Sequence, residues 1–113
     1  MLVYISGAIT NDPNYKDKFA KAEKYLTDKG HEVINPAKVA ESLPELNYGF
    51  YLHIDKALID ICEAVYFLKD WGQSIGAREE YLYVIERNQR CNTSELGGFM
   101  AKLIFEGDNE DEL

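Results

Sequence analysis

Cysteine is scarce in this chain, with Cys62 and Cys91 the two thiols among 113 residues. Two such residues provide neither a disulfide framework nor metal-ligand spacing, so no metal site is expected. Basic charge is also short, 12 Lys and Arg against 20 Asp and Glu, for a net charge of −8. An acidic chain repels a phosphate backbone at long range, which excludes a nucleic-acid polymer as a general partner. A single nucleotide remains admissible, because a local nest of backbone N–H groups outweighs a weak global field. No apolar run approaches the ~20 residues needed to cross a bilayer, so no membrane partner is expected. Met1-Leu2-Val3-Tyr4-Ile5 runs directly into a polar loop, without the basic region and apolar core of a signal peptide. The expected location is therefore cytoplasmic.

What is present argues for a folded globule. The hydrophobic fraction is 46%, with eight tyrosines, five phenylalanines and one tryptophan, enough for a core in a single domain of ordinary size. Five carboxylates and no base lie between Glu106 and Leu113, the pattern of a solvated tail. The expected organisation is one domain over residues 1–106 followed by an acidic tail at 107–113. No internal repeat or linker interrupts it.

Leu2-Val3-Tyr4-Ile5 is a nearly continuous apolar run, as for a strand buried on both faces. Ser6-Gly7-Ala8-Ile9-Thr10 forms a loop of small residues. Asp12-Pro13 reads as an N-cap with proline at the first helical position. Tyr15, Phe19, Ala22, Tyr25 and Leu26 then follow helical spacing, with Gly30 as the stop. A second strand spans His31 to Asn35, ended by Pro36, and a short helix is placed at Ala37 to Ser42. Phe50, Ile54, Ala57, Leu58 and Ile61 mark a second amphipathic helix, with Asp55 at the edge of its apolar stripe. Ala64 to Leu68 is the third strand, and Ile75 to Asn88 the third helix, burying Ala77, Tyr81, Val84 and Ile85. Gln89 to Gly98 has no clear assignment, and Lys102 to Glu106 is read as a fourth strand.

Alternating strands and helices predict an α/β fold: a three-layer α/β/α sandwich with a four- to five-stranded parallel sheet, flavodoxin-like or Rossmann-like. The first and third strands should be neighbours, with the second outside the first. Ligands in such sheets bind beyond the carboxyl ends of the strands. The Ser6–Thr10 loop and the Asp70–Gly76 loop would converge there, and the helix beginning near Ser74 would aim its N-terminal amides at the crevice. Glu80 would then face a bound small molecule.

In this order, Tyr4-Ile5-Ser6-Gly7-Ala8-Ile9-Thr10, Asn35-Pro36, Asp55, Trp71, Ser74, Gly76-Ala77 and Glu80 resemble a small bacterial and phage family of unknown function, DUF4406-like. That family is similar to the nucleoside 2-deoxyribosyltransferases and the deoxynucleoside monophosphate N-glycosidases. The resemblance covers roughly residues 2 to 88. It implies that Glu80, in a Ser-x-Gly-x-x-x-Glu pattern with Ser74 and Gly76, is the nucleophile at C1′ of a deoxyribose. It also implies that Asp55 protonates the leaving base or holds the sugar, and that Ser6, Gly7 and Thr10 contact sugar or phosphate. A homodimer or higher homo-oligomer is implied too, since related sites are finished by a neighbouring chain; no cofactor is implied. Thr10 stands where the monophosphate glycosidases carry arginine, Ala8 where proline is usual, and the chain after residue 88 finds no counterpart.

The chemistry suits this assignment. Glycosidic cleavage passes through an oxocarbenium-like state that one carboxylate stabilises while a second acid neutralises the leaving group. Glu80, near a helix N-terminus, is expected to stay ionised, and Asp55, partly buried, to hold its proton longer. Tyr4, Trp71 or Tyr51 would stack on a base.

Plainer readings stand beside these. Glu80 is otherwise a solvated carboxylate beside Glu79, Asp55 a polar residue flanking an apolar stripe, and Ser74 a helix N-cap. Gly7 and Gly76 are otherwise turn glycines, and His31, His53 and Cys62 structural. The expected function is nucleoside or nucleotide N-glycoside processing, by 2-deoxyribosyl transfer or hydrolysis. The alternative is a catalytically inactive nucleotide-binding or nucleotide-signal-sensing module.

Overall fold

Four strands, β1 (Leu2–Ser6), β2 (Glu32–Ile34), β3 (Ala64–Phe67) and β4 (Lys102–Phe105), form one parallel sheet in the order β2-β1-β3-β4. The computed structural model describes residues 1–93 and 100–108, with side chains described up to residue 90 in the first segment. Residues 109–113 of the expected acidic tail, the stretch 94–99 and the side chains of residues 91–93 lie outside the described residues. Helices α1 (Tyr15–Asp28), α2 (Pro36–Glu41), α3 (Tyr48–Asp60) and α4 (Ile75–Thr93) complete the chain. The predicted α/β class and the neighbouring of β1 with β3 both hold. Four strands are seen among the described residues.

Residue alternation on a strand divides the core in two. Val3 and Ile5 of β1, with Tyr66, Leu68 and Ile104, pack against Phe19, Ala22 and Leu26 of α1. Tyr4 points the other way, with Val65 and Phe67, toward Ile59 of α3 and Val84 of α4. Leu26, Phe19 and Ile59 are fully buried, each stabilising the fold by about 1.5–3 kcal/mol relative to exposure.

Local signals set most of the helix ends. Gly30 adopts φ +93°, and the N–H groups of Gly30 and His31 bond back to the carbonyls of Thr27 and Leu26 at 2.9 and 3.2 Å. This is a Schellman stop, in which glycine takes the left-handed conformation without steric cost. Asn35 and Asn47 cap α2 and α3, accepting from the N–H groups of Ala37 and Phe50 at 3.0 and 3.3 Å. At α1 the expectation fails: the helix begins at Tyr15, and Asp12 is not its N-cap. Asn11 at φ 64° turns the chain, and Asp12 instead accepts from the N–H of Asn14 at 2.9 Å and pairs with Lys18. α4 runs five residues beyond Asn88, and Trp71–Gln73 forms a 3-10 turn.

Candidate active site

Beyond the carboxyl ends of β1 and β3 lies a cavity of about 500 Å³. Its lining includes Gly7 and Thr10 from the β1–α1 loop, Asp55 from α3, and Ser74, Gly76 and Glu80 around the start of α4. The parallel sheet brings these together because successive strands end on the same edge, as the topological rule for such sheets requires. Ser74 caps α4, its Oγ accepting from the N–H of Ala77 at 3.2 Å. The cap reading of Ser74 and its place at the cavity wall are thus compatible.

Glu80 belongs to the inward stripe of α4. Ala77, Glu80 and Val84 follow helical spacing and are 1%, 6% and 0% exposed. A carboxyl in that stripe must find partners, since an unpaired one costs several kcal/mol. β1 supplies them. Tyr4 and Ser6 are two residues apart and so share a sheet face; the Tyr4 hydroxyl donates to Glu80 Oε2 at 2.6 Å and the Ser6 hydroxyl to Glu80 Oε1 at 2.8 Å. Asp55 is near enough to interact electrostatically with both Glu80 and Tyr4.

The electrostatics reverse one expectation. Burial first, then the neighbouring Asp55 carboxylate, push Glu80 up to about 8, against the pull of its two hydroxyl donors. Glu80 is the sixth residue of α4, past the first turn where unpaired N–H groups and the helix dipole act. Placement near a helix start therefore does not keep it ionised. Burial likewise raises Asp55 to about 6. Tyr4 is driven well above its usual value by burial and by Glu80, so it remains a donor. Two interacting carboxyls titrate as a unit, and between about 6 and 8 this pair holds one proton.

Other expected contacts fall elsewhere. The Tyr4 ring is fully buried in the core and is not a stacking platform. Trp71 is not among the lining residues; it packs edge-on against Tyr81 at 4.7 Å and beside Phe67 at 5.4 Å. Aromatic mutual packing under the β3–α4 turn holds the indole there. Tyr51 does line the cavity, as do Tyr48, Leu52, Ala37, Ala40 and Lys16, of which only Tyr51 was expected from the sequence. Ala37 and Ala40, three apart on α2, are the small-residue signal that a cavity-facing helix would show. Gly7 is explained by packing: a Cβ there would stand 2.6 Å from Leu68 Cδ1. At Gly76 a Cβ would come 3.4 Å from Tyr48 Oη.

The two loops are tied by Lys18. Its ammonium bonds the Ala8 carbonyl at 3.1 Å and the carboxylates of Asp12 and Asp70, while Asp70 accepts from the Ala8 N–H at 3.1 Å. Lys18 lies on α1, and Asp70 opens the β3–α4 connector, so the clamp fixes one cavity wall relative to the other. Among the described residues no group of three or more His, Cys, Asp or Glu could hold a metal, and no helix is long and apolar enough to cross a membrane.

Fold and site together define a doubly wound α/β protein with a buried carboxyl, Glu80, and a half-buried one, Asp55, at its strand-end cavity. Residues 1–91 match the family described as Domain of unknown function (DUF4406), and the chain belongs to that family. No curated protein matches the sequence. A solved structure of the 2-deoxyribosyltransferase from the psychrotolerant bacterium Bacillus psychrosaccharolyticus is similar, with a TM-score of 0.55 and 24% identity. The likeness covers 75% of this chain and 66% of that one, just under two thirds of the enzyme's length. It shows a shared fold.

Proposed function

We propose that this protein processes the N-glycosidic bond of a nucleoside or nucleotide, by 2-deoxyribosyl transfer or hydrolysis. The observation that carries the reading is Glu80, buried beside Asp55, facing the cavity and held by two hydroxyl donors. A cavity of about 500 Å³ suits a small ligand. The fold shared with a 2-deoxyribosyltransferase supports the same reading.

In the singly protonated pair of the unliganded protein the proton rests on Glu80, so the reaction begins with its transfer to Asp55, which leaves Glu80 charged and held by the hydroxyls of Tyr4 and Ser6. Glu80 then attacks C1′, the C1′–N bond breaks, and its electron pair departs with the base, which takes the Asp55 proton. Water or a second base next displaces Glu80 from C1′. Tyr51 and Tyr48 stand where a base would meet aromatic surface, and Thr10, Ser74 and Gly76 line the remainder. A homodimer belongs to the same proposal. Phe50 of α3 and Ile75 and Leu82 of α4 are 59%, 70% and 65% exposed on adjacent helices, apolar surface that a second copy would cover.

Incubation with 2′-deoxynucleosides and their 5′-monophosphates, followed by chromatography, tests the reading. Free base should form, and Glu80→Gln should lower the rate by roughly a thousand-fold or more. A 2-fluoro-2-deoxyribosyl substrate should leave a covalent adduct on Glu80, visible by mass spectrometry. A Glu80→Gln variant with full activity would sink the assignment. The second reading, a binding module, is favoured by one observation: with Glu80 raised to about 8, the unliganded pair is short of the free carboxylate a nucleophile needs. Thermal stabilisation by nucleosides or nucleotides without base release would support it.

A further inference from the structure

A second hollow lies apart from the carboxyl pair, between α1 and the C-terminal ends of β3 and β4. It encloses about 370 Å³ and is lined by Lys18, Lys21, Tyr25, Tyr66, Lys69 and Glu106 among others. In a chain of 20 acidic and 12 basic side chains, two ammoniums, Lys21 and Lys69, face one lining carboxylate, Glu106, while the charge of Lys18 is taken up by Asp12 and Asp70. That carboxylate is engaged, since Glu106 Oε1 accepts from the backbone N–H of Lys69 at 2.8 Å. Lys18 is committed to the loop clamp. Lys21 and Lys69 are exposed, and their ammoniums make no ion pair among the described residues.

The wall beside them is aromatic. Tyr66 is 2% exposed, Tyr25 is half-buried, and their ring centroids are 6.2 Å apart. Lys29 also approaches the Tyr25 ring, at 5.0 Å from the centroid. Two uncommitted ammoniums next to tyrosine rings fit an anion attached to a small organic body. A dianionic phosphate neutralises both lysines where a lone carboxylate neutralises one. The net charge of −8 repels an extended polyanion, so a nucleic acid is disfavoured here as it is for the chain as a whole.

We propose that this hollow is a second ligand site, taking a small phosphorylated metabolite with its phosphate on Lys21 and Lys69 and its organic part against Tyr25. The site is independent of the N-glycoside reading, and so is its test. Inorganic pyrophosphate, ribose 5-phosphate and ribose are titrated into the full chain and followed by amide NMR. Both phosphates should give saturable shifts at residues 21–25, 69 and 106–107, and ribose should not. Lys21→Ala/Lys69→Ala should weaken ribose 5-phosphate at least ten-fold with an unchanged melting temperature, while Glu80→Gln should leave its affinity intact. Shifts confined to Thr10, Ser74 and Gly76 would overturn the proposal. So would an affinity in the double-lysine variant within two-fold of the parent, or no saturable shift with either phosphate.

Discussion

Replacing Glu80 with glutamine should remove most of the pH dependence of stability between pH 6.5 and 8. A carboxyl raised from its ordinary 4.5 to about 8 by burial and Asp55 keeps a proton in the folded state that the unfolded chain has already released. Stability is therefore greatest below the unfolded value and is lost as pH rises through the folded one. Moving a titration midpoint by one pH unit between the unfolded and folded chain is worth about 1.36 kcal/mol, so the whole transition spans on the order of 5 kcal/mol. Within pH 6.5 to 8 alone, linkage gives a loss of about 1.6 kcal/mol. Glutamine is neutral at every pH, has nearly the same shape, and retains an acceptor for one of the two hydroxyls. Its stability should change by less than about 0.5 kcal/mol over the same interval.

Urea unfolding at fixed ionic strength measures both proteins. The single tryptophan, Trp71, is packed on Tyr81 and Phe67 and reports unfolding by fluorescence. Equal denaturant slopes would license comparison of the midpoints. His31 is present in both chains, so the difference between the two curves reports the coupled Glu80–Asp55 pair. Parallel loss of stability in parent and variant would refute the buried, protonated carboxyl.

Three further outcomes follow from the same geometry. Catalysis by the pair predicts a bell-shaped kcat/KM profile with limbs near about 6 and 8, and a profile flat from pH 5 to 9 would exclude it. Tyr4→Phe removes the 2.6 Å donor that lowers Glu80; the alkaline-side midpoint should rise, with about 1–3 kcal/mol of stability lost at pH 8.5, where Glu80 is charged. Gly7→Ala drives a Cβ to 2.6 Å from Leu68 Cδ1, a side chain only 1% exposed. It should cost about 1–3 kcal/mol by urea melt, and a change below 0.5 kcal/mol would show that Leu68 yields freely.

Much of the scaffold was legible before any coordinate. Leu2–Ile5, Ala64–Leu68 and the repeat of α1 declare themselves because strand and helix periods are local, and Gly30 ends α1 through its own backbone freedom. α3 is where the sequence puts it, but Phe50, Ala57 and Ile61 of its expected stripe are exposed and Ile59 is buried instead. The convergence of the Gly7–Thr10 and Ser74–Gly76 loops followed from alternating β and α elements. Asp12 misled because its carboxylate had a better partner in Lys18, six residues on and invisible to a capping pattern. Trp71 misled because an aromatic residue beside a candidate site is equally at home in an aromatic cluster.

The sequence by itself determined that Glu80 lies on a helix following a strand–loop unit; it put Ser6 in the loop after the first strand, whereas the structure extends β1 to Ser6, on the face that carries Tyr4. Only the tertiary structure decided that these elements meet: parallel pairing of β1 with β3 sets Tyr4 opposite Val65, and α4 packs over that face. That contact excludes water from Glu80, aims two hydroxyls at its oxygens and brings Asp55 alongside. Burial and a neighbouring charge are properties of the assembled chain, so the protonation of the pair is decided by packing across 74 and 76 residues of sequence.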